Sequence, residues 1–477
     1  MKGSSFSIQR YELILPLLAG LAVVTYAAVS EWYTLLMVPF ALCCIWLLLR
    51  NILVLYMLLL LSIPISTEME FSTILATDFP DEAMMLILTA ALFATFAYRP
   101  SLFPIAARRS TLFLLLLVQL SWISIAALFS YEPFLSVKHL LAKTWYLIPF
   151  VLGTLFLCNR PRYFILSAKL MVFGMLIPIA YSWYHHAHTG FRFETINPSL
   201  GPFFRNHVNY AALIVCLIPV VLAFFLSAKG KSKKWWAVLA TIFLVALILG
   251  YSRGAWICLF TGFVTMWAVR KKYLLSLFTV GIFFIFVSIG WLIHNNNYLR
   301  FAPDYNRTIY HSEFSEHMQA TYSLKDISTV ERFYRWIAGV RMVAEEPITG
   351  FGPASFYSHY RAYAIPVFET WVSNNPERST VHNYFLLLAI EQGIPGLIFF
   401  LLLIGAMYAT AIKVYHESRH PFHRMLAMIA AVMLSMIVTL NMLSDLIETD
   451  KIGSIFYLLL GVLIYLDHQQ KRLRITE

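Results

Sequence analysis

The chain has 477 residues, 60% of them apolar and 13% charged, with a mean hydropathy of +0.70 and a formal net charge of +11. This balance excludes a water-soluble globular protein, and it makes nucleic acid a poor explanation of the positive charge. It predicts an all-α fold, a polytopic transmembrane helix bundle.

Apolar runs fall near 11–29, 32–49, 51–66, 83–98, 111–130, 138–158, 163–183, 208–227, 235–251, 254–269 and 273–293. After a long polar gap they resume at 395–413, 424–443 and 452–467. This predicts about 12–14 spans, the upper figure counting short runs such as 51–66. The first run, after Arg10, is long enough to stay as a span, so a cleavable signal peptide is not expected. Three parts follow: N-terminal spans over 1–293, a long loop over 294–381, and a third part over 382–477.

Basic residues mark one side of the membrane. Lys2, Arg10, Arg50, Arg99, Arg108, Arg109, Arg160 and Arg162 fall there, as do Lys229 to Lys234, Arg270 to Lys272, Lys413, Arg419, Arg424, Lys471 and Arg472. Every second connection is basic, which puts both ends of the chain in the cytoplasm. The net charge is therefore topological and meets anionic lipid headgroups. The alternate connections face outward. One carries Glu68, Glu70, Asp78, Asp81 and Glu82; another, near 184–207, carries His185, His186 and His188. The longest is 294–381. Its stretch from Ser328 to Glu345 has Val330, Phe333, Ile337, Val340 and Val343 at helical spacing, with Glu331, Arg332, Arg335 and Arg341 around them. That pattern predicts a helix lying over the membrane domain.

Two outward arginines have no topological reason to be there. Arg205 stands just before the span at 208–227, and Arg253 sits in Tyr251-Ser252-Arg253-Gly254 between two spans. A charge at mid-membrane depth costs about 3 kcal/mol, so such residues line polar cavities or pair. The arginine fork also suits phosphate oxygens. The alternative is an interfacial arginine reaching headgroups. His185, His186 and His188 lack a partner at metal-ligand spacing and are expected in a wet interfacial loop, and no Asp-x-Asp pair is present. No metal and no cofactor are expected. Asp445, Glu448 and Asp450 are expected to be solvated. The five cysteines fall in or beside apolar runs and are expected in the core. The Gly350-Phe351-Gly352-Pro353 turn is too short for a phosphate loop.

The remaining stretch runs from Val381-His382-Asn383 to Glu391-Gln392-Gly393-Ile394-Pro395-Gly396. Gly393 is suited to ending a helix, and Pro395 to opening the next. A helix over 382–392 is only ~16 Å long, too short to cross, whereas 395–413 reaches ~28 Å. His382 is thus expected on a short helix at a membrane face. Glu391 points nearly opposite it and is expected to brace a neighbouring loop.

These residues resemble the signature region of the O-antigen ligase/polymerase superfamily. The likeness lies in Gly350-x-Gly352 with Ser355-Phe356, in His382-Asn383, and in Glu391 to Gly396. Ser252-Arg253-Gly254 is similar to the family's Ser-Arg-Gly element, and Gly201 to Tyr210 to its outward segment before another span. The resemblance covers roughly 190–465. It implies a glycosyltransferase on the periplasmic face of the bacterial inner membrane. Such enzymes transfer a glycan from undecaprenyl diphosphate to an acceptor hydroxyl, on lipid A–core for a ligase or on another glycan chain for a polymerase. His382 would be the catalytic base, with Arg205, Arg253, Asn383 and Glu391 on the substrate side. Direct displacement with inversion would follow, with activity rising through the histidine's titration. A lipid-linked oligosaccharide flippase would also have many spans and cavity arginines, but no repeated halves are evident. A sensor or scaffold leaves the arginine–histidine set unexplained.

Overall fold

The computed structural model describes residues 37–70, 76–301, 327–369, 373, 375 and 379–476; the expected span at 11–29 lies outside them. Among the described residues 11 helices are long and apolar enough to cross a membrane, so this is an all-α multi-pass membrane protein. The first, α1 (Met37–Ser62), joins the rest of the run at 32–49 to that at 51–66. Asn51 bends the helix there, and its Oδ1 accepts the Leu53 N–H at 3.1 Å. With no glycine or proline at this step, the chain kinks instead of reversing.

A hairpin of β1 (Thr67–Glu70) and β2 (Ala76–Phe79), antiparallel, leads into α2 (Asp81–Tyr98) and α3 (Thr111–Leu128). Ser110 caps α3 by accepting the Phe113 N–H at 3.3 Å. Helix α4 (Pro133–Leu147) opens on a proline at its first position, as does α5 (Pro161–His188). A widened turn around Pro149 carries α4 on to Leu157, absorbing the hydrogen bond that the proline cannot donate. Then come α6 (His207–Ser227), α7 (Gly230–Leu249), α8 (Arg253–Lys271) and α9 (Leu274–Ile293). Helix α8 is less apolar than the eleven and packs along α12, introduced below.

The helix expected over the long loop is present as α10 (Ile327–Glu345). Its Val330, Tyr334, Ile337, Ala338 and Met342 are buried against the membrane domain. Glu331 and Arg335, expected on its polar side, are buried too, at 6% and 5% exposure. They lie one turn apart and pair with each other, so burial leaves neither charge uncompensated. After α10 come α11 (Tyr384–Glu417), α12 (Pro421–Leu443) and α13 (Asp450–Thr476). Helix α13 is the bundle's centre, 78% buried along its span, whereas the span at Leu274–Arg300 is 0% buried and lies at the bundle's edge, touching α8 and α11.

Helix α11 breaks at Gly393 (φ 69°, ψ 178°), two residues before Pro395, as the sequence predicts. A break inside an apolar span leaves backbone groups without partners, each worth roughly 1–3 kcal/mol if unpaired. Here four of them find a donor or acceptor from elsewhere. Phe351 N–H donates to Ile390 O at 2.9 Å, Gly352 N–H to Glu391 O at 3.0 Å, and Trp122 Nε1 to Gln392 O at 2.7 Å. Ile394 N–H in turn donates to Pro347 O at 2.8 Å. The break is thus a socket for the Gly350 turn that follows α10.

A Cβ on Gly393 would collide with the Ile348 carbonyl, in a backbone conformation that L side chains avoid. We expect Gly393→Ala to destabilise by about 1–3 kcal/mol of backbone strain, with about as much again from the collision. Thermal unfolding of the detergent-purified protein will show the lowered midpoint.

Candidate active site

His382 does not ride on the short helix. It stands just before it, at φ 54°, with Asn383 as the cap and Tyr384 as the first helical residue. The reason is the cap itself. Asn383 Oδ1 accepts the Leu386 N–H at 3.0 Å, which requires an extended backbone at 383 and a sharp turn before it. Histidine is among the few side chains that tolerate the left-handed region. The turn is held on three sides. Trp336 Nε1 donates to Val381 O at 3.0 Å and Arg335 Nη1 to Thr380 O at 3.1 Å, while Tyr384 N–H donates to Ser444 O at 3.0 Å.

The His382 ring is half-buried. Burial first, then the guanidinium groups of Arg335 and Arg332, hold its pKa down at about 3. The imidazole is therefore neutral throughout the physiological range, and a weak base until negative charge at the site offsets the two guanidinium groups. An activity rise through an ordinary histidine titration is not expected of the free enzyme, because burial and these two arginines keep the ring neutral. A signal was present in the sequence: Arg332 and Arg335 lie one turn apart on α10, whose other face is apolar.

Asn383 spends both ends of its amide within the protein, since Nδ2 donates to Met442 O at 3.2 Å. Glu391 is also engaged. It is 6% exposed, and its Oε1 accepts the Phe356 N–H at 3.3 Å, bracing the Gly350 turn as expected. Ser136 Oγ holds the same turn from the other side, donating to Pro353 O at 2.7 Å.

Arg253 is the first residue of α8, half-buried, behind the buried cap residue Ser252. A Cβ on Gly254 would lie 3.5 Å from Leu443 Cδ1, so the head of α8 abuts the end of α12. Asn383 and Tyr384 bond to that same end through Met442 and Ser444. Arg253 and His382 therefore lie at one face of the bundle. Arg205 precedes α6 on this face as well, because α7 returns from α6 and brings Gly250 against Ala211. The Arg205 side chain is 71% exposed and forks onto Glu68 of the β1 strand through Nε and Nη2.

The three acids near the last outward turn are half-buried rather than fully solvated. Lys143 on α4 donates to Glu448 Oε1 at 2.7 Å, and His139 Nε2 lies 3.8 Å from Oε2. Burial pushes Glu448 up, but the Lys143 ammonium and then His139 outweigh it and hold its pKa below the ordinary value. Burial raises that of Asp445, which bonds to Thr380. Asp450 is partly buried and interacts with Asp78. Local composition misleads here, because the acids' partners come from helices far away in sequence.

His185, His186 and His188 form the last turn of α5, not a loop; His186 is fully buried and bonds to Arg192 O at 2.9 Å. Among the described residues no three His, Cys, Asp or Glu side chains are grouped so as to hold a metal. Cys44, Cys158, Cys216 and Cys258 are buried as expected, whereas Cys43 is exposed.

Residues 238–401 match the O-antigen ligase family. That stretch holds Arg253, the Gly350 turn, His382, Asn383, Glu391 and the break at Gly393. This match supports the likeness to the O-antigen ligase superfamily. An O-antigen ligase of Salmonella typhimurium strain LT2 is 26% identical over 245 residues, 50% of this chain and 55% of that protein. The chain thus spans about half the length of this curated O-antigen ligase. Arg205 lies outside the stretch that matches the O-antigen ligase family.

Proposed function

We propose that the protein is an O-antigen ligase of the bacterial inner membrane. Its donor is a glycan on undecaprenyl diphosphate, and its acceptor is a hydroxyl of lipid A–core. The 294–381 loop and the His382 face look into the periplasm. The observation that carries the reading is a neutral, half-buried histidine on a strained turn, lying at the same face as Arg253.

In the reaction, the acceptor oxygen attacks the anomeric carbon and His382 takes the hydroxyl proton. The bond to diphosphate breaks, and the electron pair leaves with the phosphate oxygen. Arg253 stabilises the charge developing there. Arg205 joins it by exchanging Glu68 for phosphate. Displacement on one base, without a protein nucleophile, inverts the anomeric centre. Asn383 and Glu391 serve by holding the His382 turn and the Gly350 turn.

A polymerase would share this donor site and take another glycan chain as acceptor. Deleting the gene and extracting the lipid-linked glycans distinguishes them. Accumulated lipid-linked polymer is expected; single repeat units alone would overturn the ligase assignment.

A further inference from the structure

Beneath the His382 turn lies a charged assembly that the reaction does not use. Lys143, 5% exposed, reaches across from α4 to Glu448 in the connection between α12 and α13. The hydroxyl of Tyr384, a residue 3% exposed, lies close enough to interact with the Glu448 carboxylate. The Lys143 ammonium sits 5.9 Å from the centre of the Tyr384 ring. Tyr384 is two residues from His382, and its N–H is bound to Ser444 O.

A buried lysine–glutamate pair contributes little net stability compared with apolar packing, because desolvation offsets its attraction. Its effect lies in geometry. Glu448 can face Lys143, His139 and the Tyr384 hydroxyl together in one arrangement of the 444–449 connection. That arrangement sets where Ser444 O receives the Tyr384 N–H, and hence where the strained turn before it aims the imidazole.

We propose that Lys143 and Glu448, acting through Tyr384, are positioning residues that hold His382 against the acceptor hydroxyl. This inference rests on His382 as the base. Truncating Glu448 would strand a buried ammonium and unfold the site, so the informative variant is Tyr384→Phe, which removes one hydroxyl.

The test measures transfer from a radiolabelled undecaprenyl diphosphate-linked glycan to lipid A–core in proteoliposomes. Tyr384→Phe and His382→Gln are made singly and together. Tyr384→Phe is expected to lower kcat by between about 10- and 10²-fold, with KM for the lipid-linked donor unchanged, as for a misplaced reacting group. In the His382→Gln background it should cause no further loss, because the residue it positions is gone. Full turnover by Tyr384→Phe, or losses that multiply in the double variant, would overturn the positioning role alone. Wild-type turnover by His382→Gln would overturn the base assignment itself.

Discussion

His382→Gln is expected to lose about 10²–10⁴-fold in kcat, the usual contribution of a positioned general base, while remaining folded and inserted. Glutamine keeps roughly the shape and the hydrogen bonding of the ring but cannot take a proton at neutral pH. A packing histidine behaves in the opposite way, losing stability and keeping turnover. Thermal unfolding and kcat measured on the same purified sample separate the two.

The pH profile of the wild type adds a second readout. With the pKa held at about 3 by burial, Arg335 and Arg332, the free enzyme carries a neutral His382 down to strongly acid pH. The sign follows directly: kcat/KM, which reports the free enzyme, should show no histidine limb near neutrality and should fall only as pH approaches that low value. A bound diphosphate brings negative charge that offsets the two guanidinium groups. The acid limb of kcat should therefore lie at higher pH than that of kcat/KM. Arg332→Gln removes one of the depressing charges without stranding the buried Glu331 that Arg335 pairs with, and should move both limbs upward. A limb near the ordinary histidine value in the free enzyme would overturn the depressed pKa of His382.

The second large effect concerns Arg253. Arg253→Ala should lower kcat/KM by about 10²–10³-fold, the range seen when a donor to a developing oxyanion is removed. Arg253→Lys should recover part of this, because lysine restores the charge without the two-pronged fork. The head of α8 tolerates the change, since residue 253 is the first of the helix and is only half-buried. Normal transfer by a well-expressed Arg253→Ala protein would remove this residue from the mechanism. Arg205→Ala should cost less, because its fork is already engaged by Glu68 and must exchange that partner for phosphate.

Much of the architecture was legible without coordinates because apolar length is a local property. Runs of about 20 residues must cross or be buried whatever lies beside them, so the helices and the amphipathic α10 follow from spacing. The break at Gly393 was legible for a similar reason: glycine and proline act on their own backbone. The candidate residues His382, Arg253 and Glu391 were also visible, as polar groups at the edge of apolar runs.

What the tertiary structure alone decided is how those groups are paired. Whether Glu448 is solvated depends on Lys143, 305 positions away. Whether His382 titrates near neutrality depends first on its burial, then on Arg335 and Arg332 of another helix. Whether Arg205 faces solvent or a carboxylate depends on a hairpin 137 positions earlier. The physical reason is range. Backbone preferences and hydrophobic burial act through neighbours in the chain, whereas charge pairing and desolvation act through space, and only the folded bundle sets those distances.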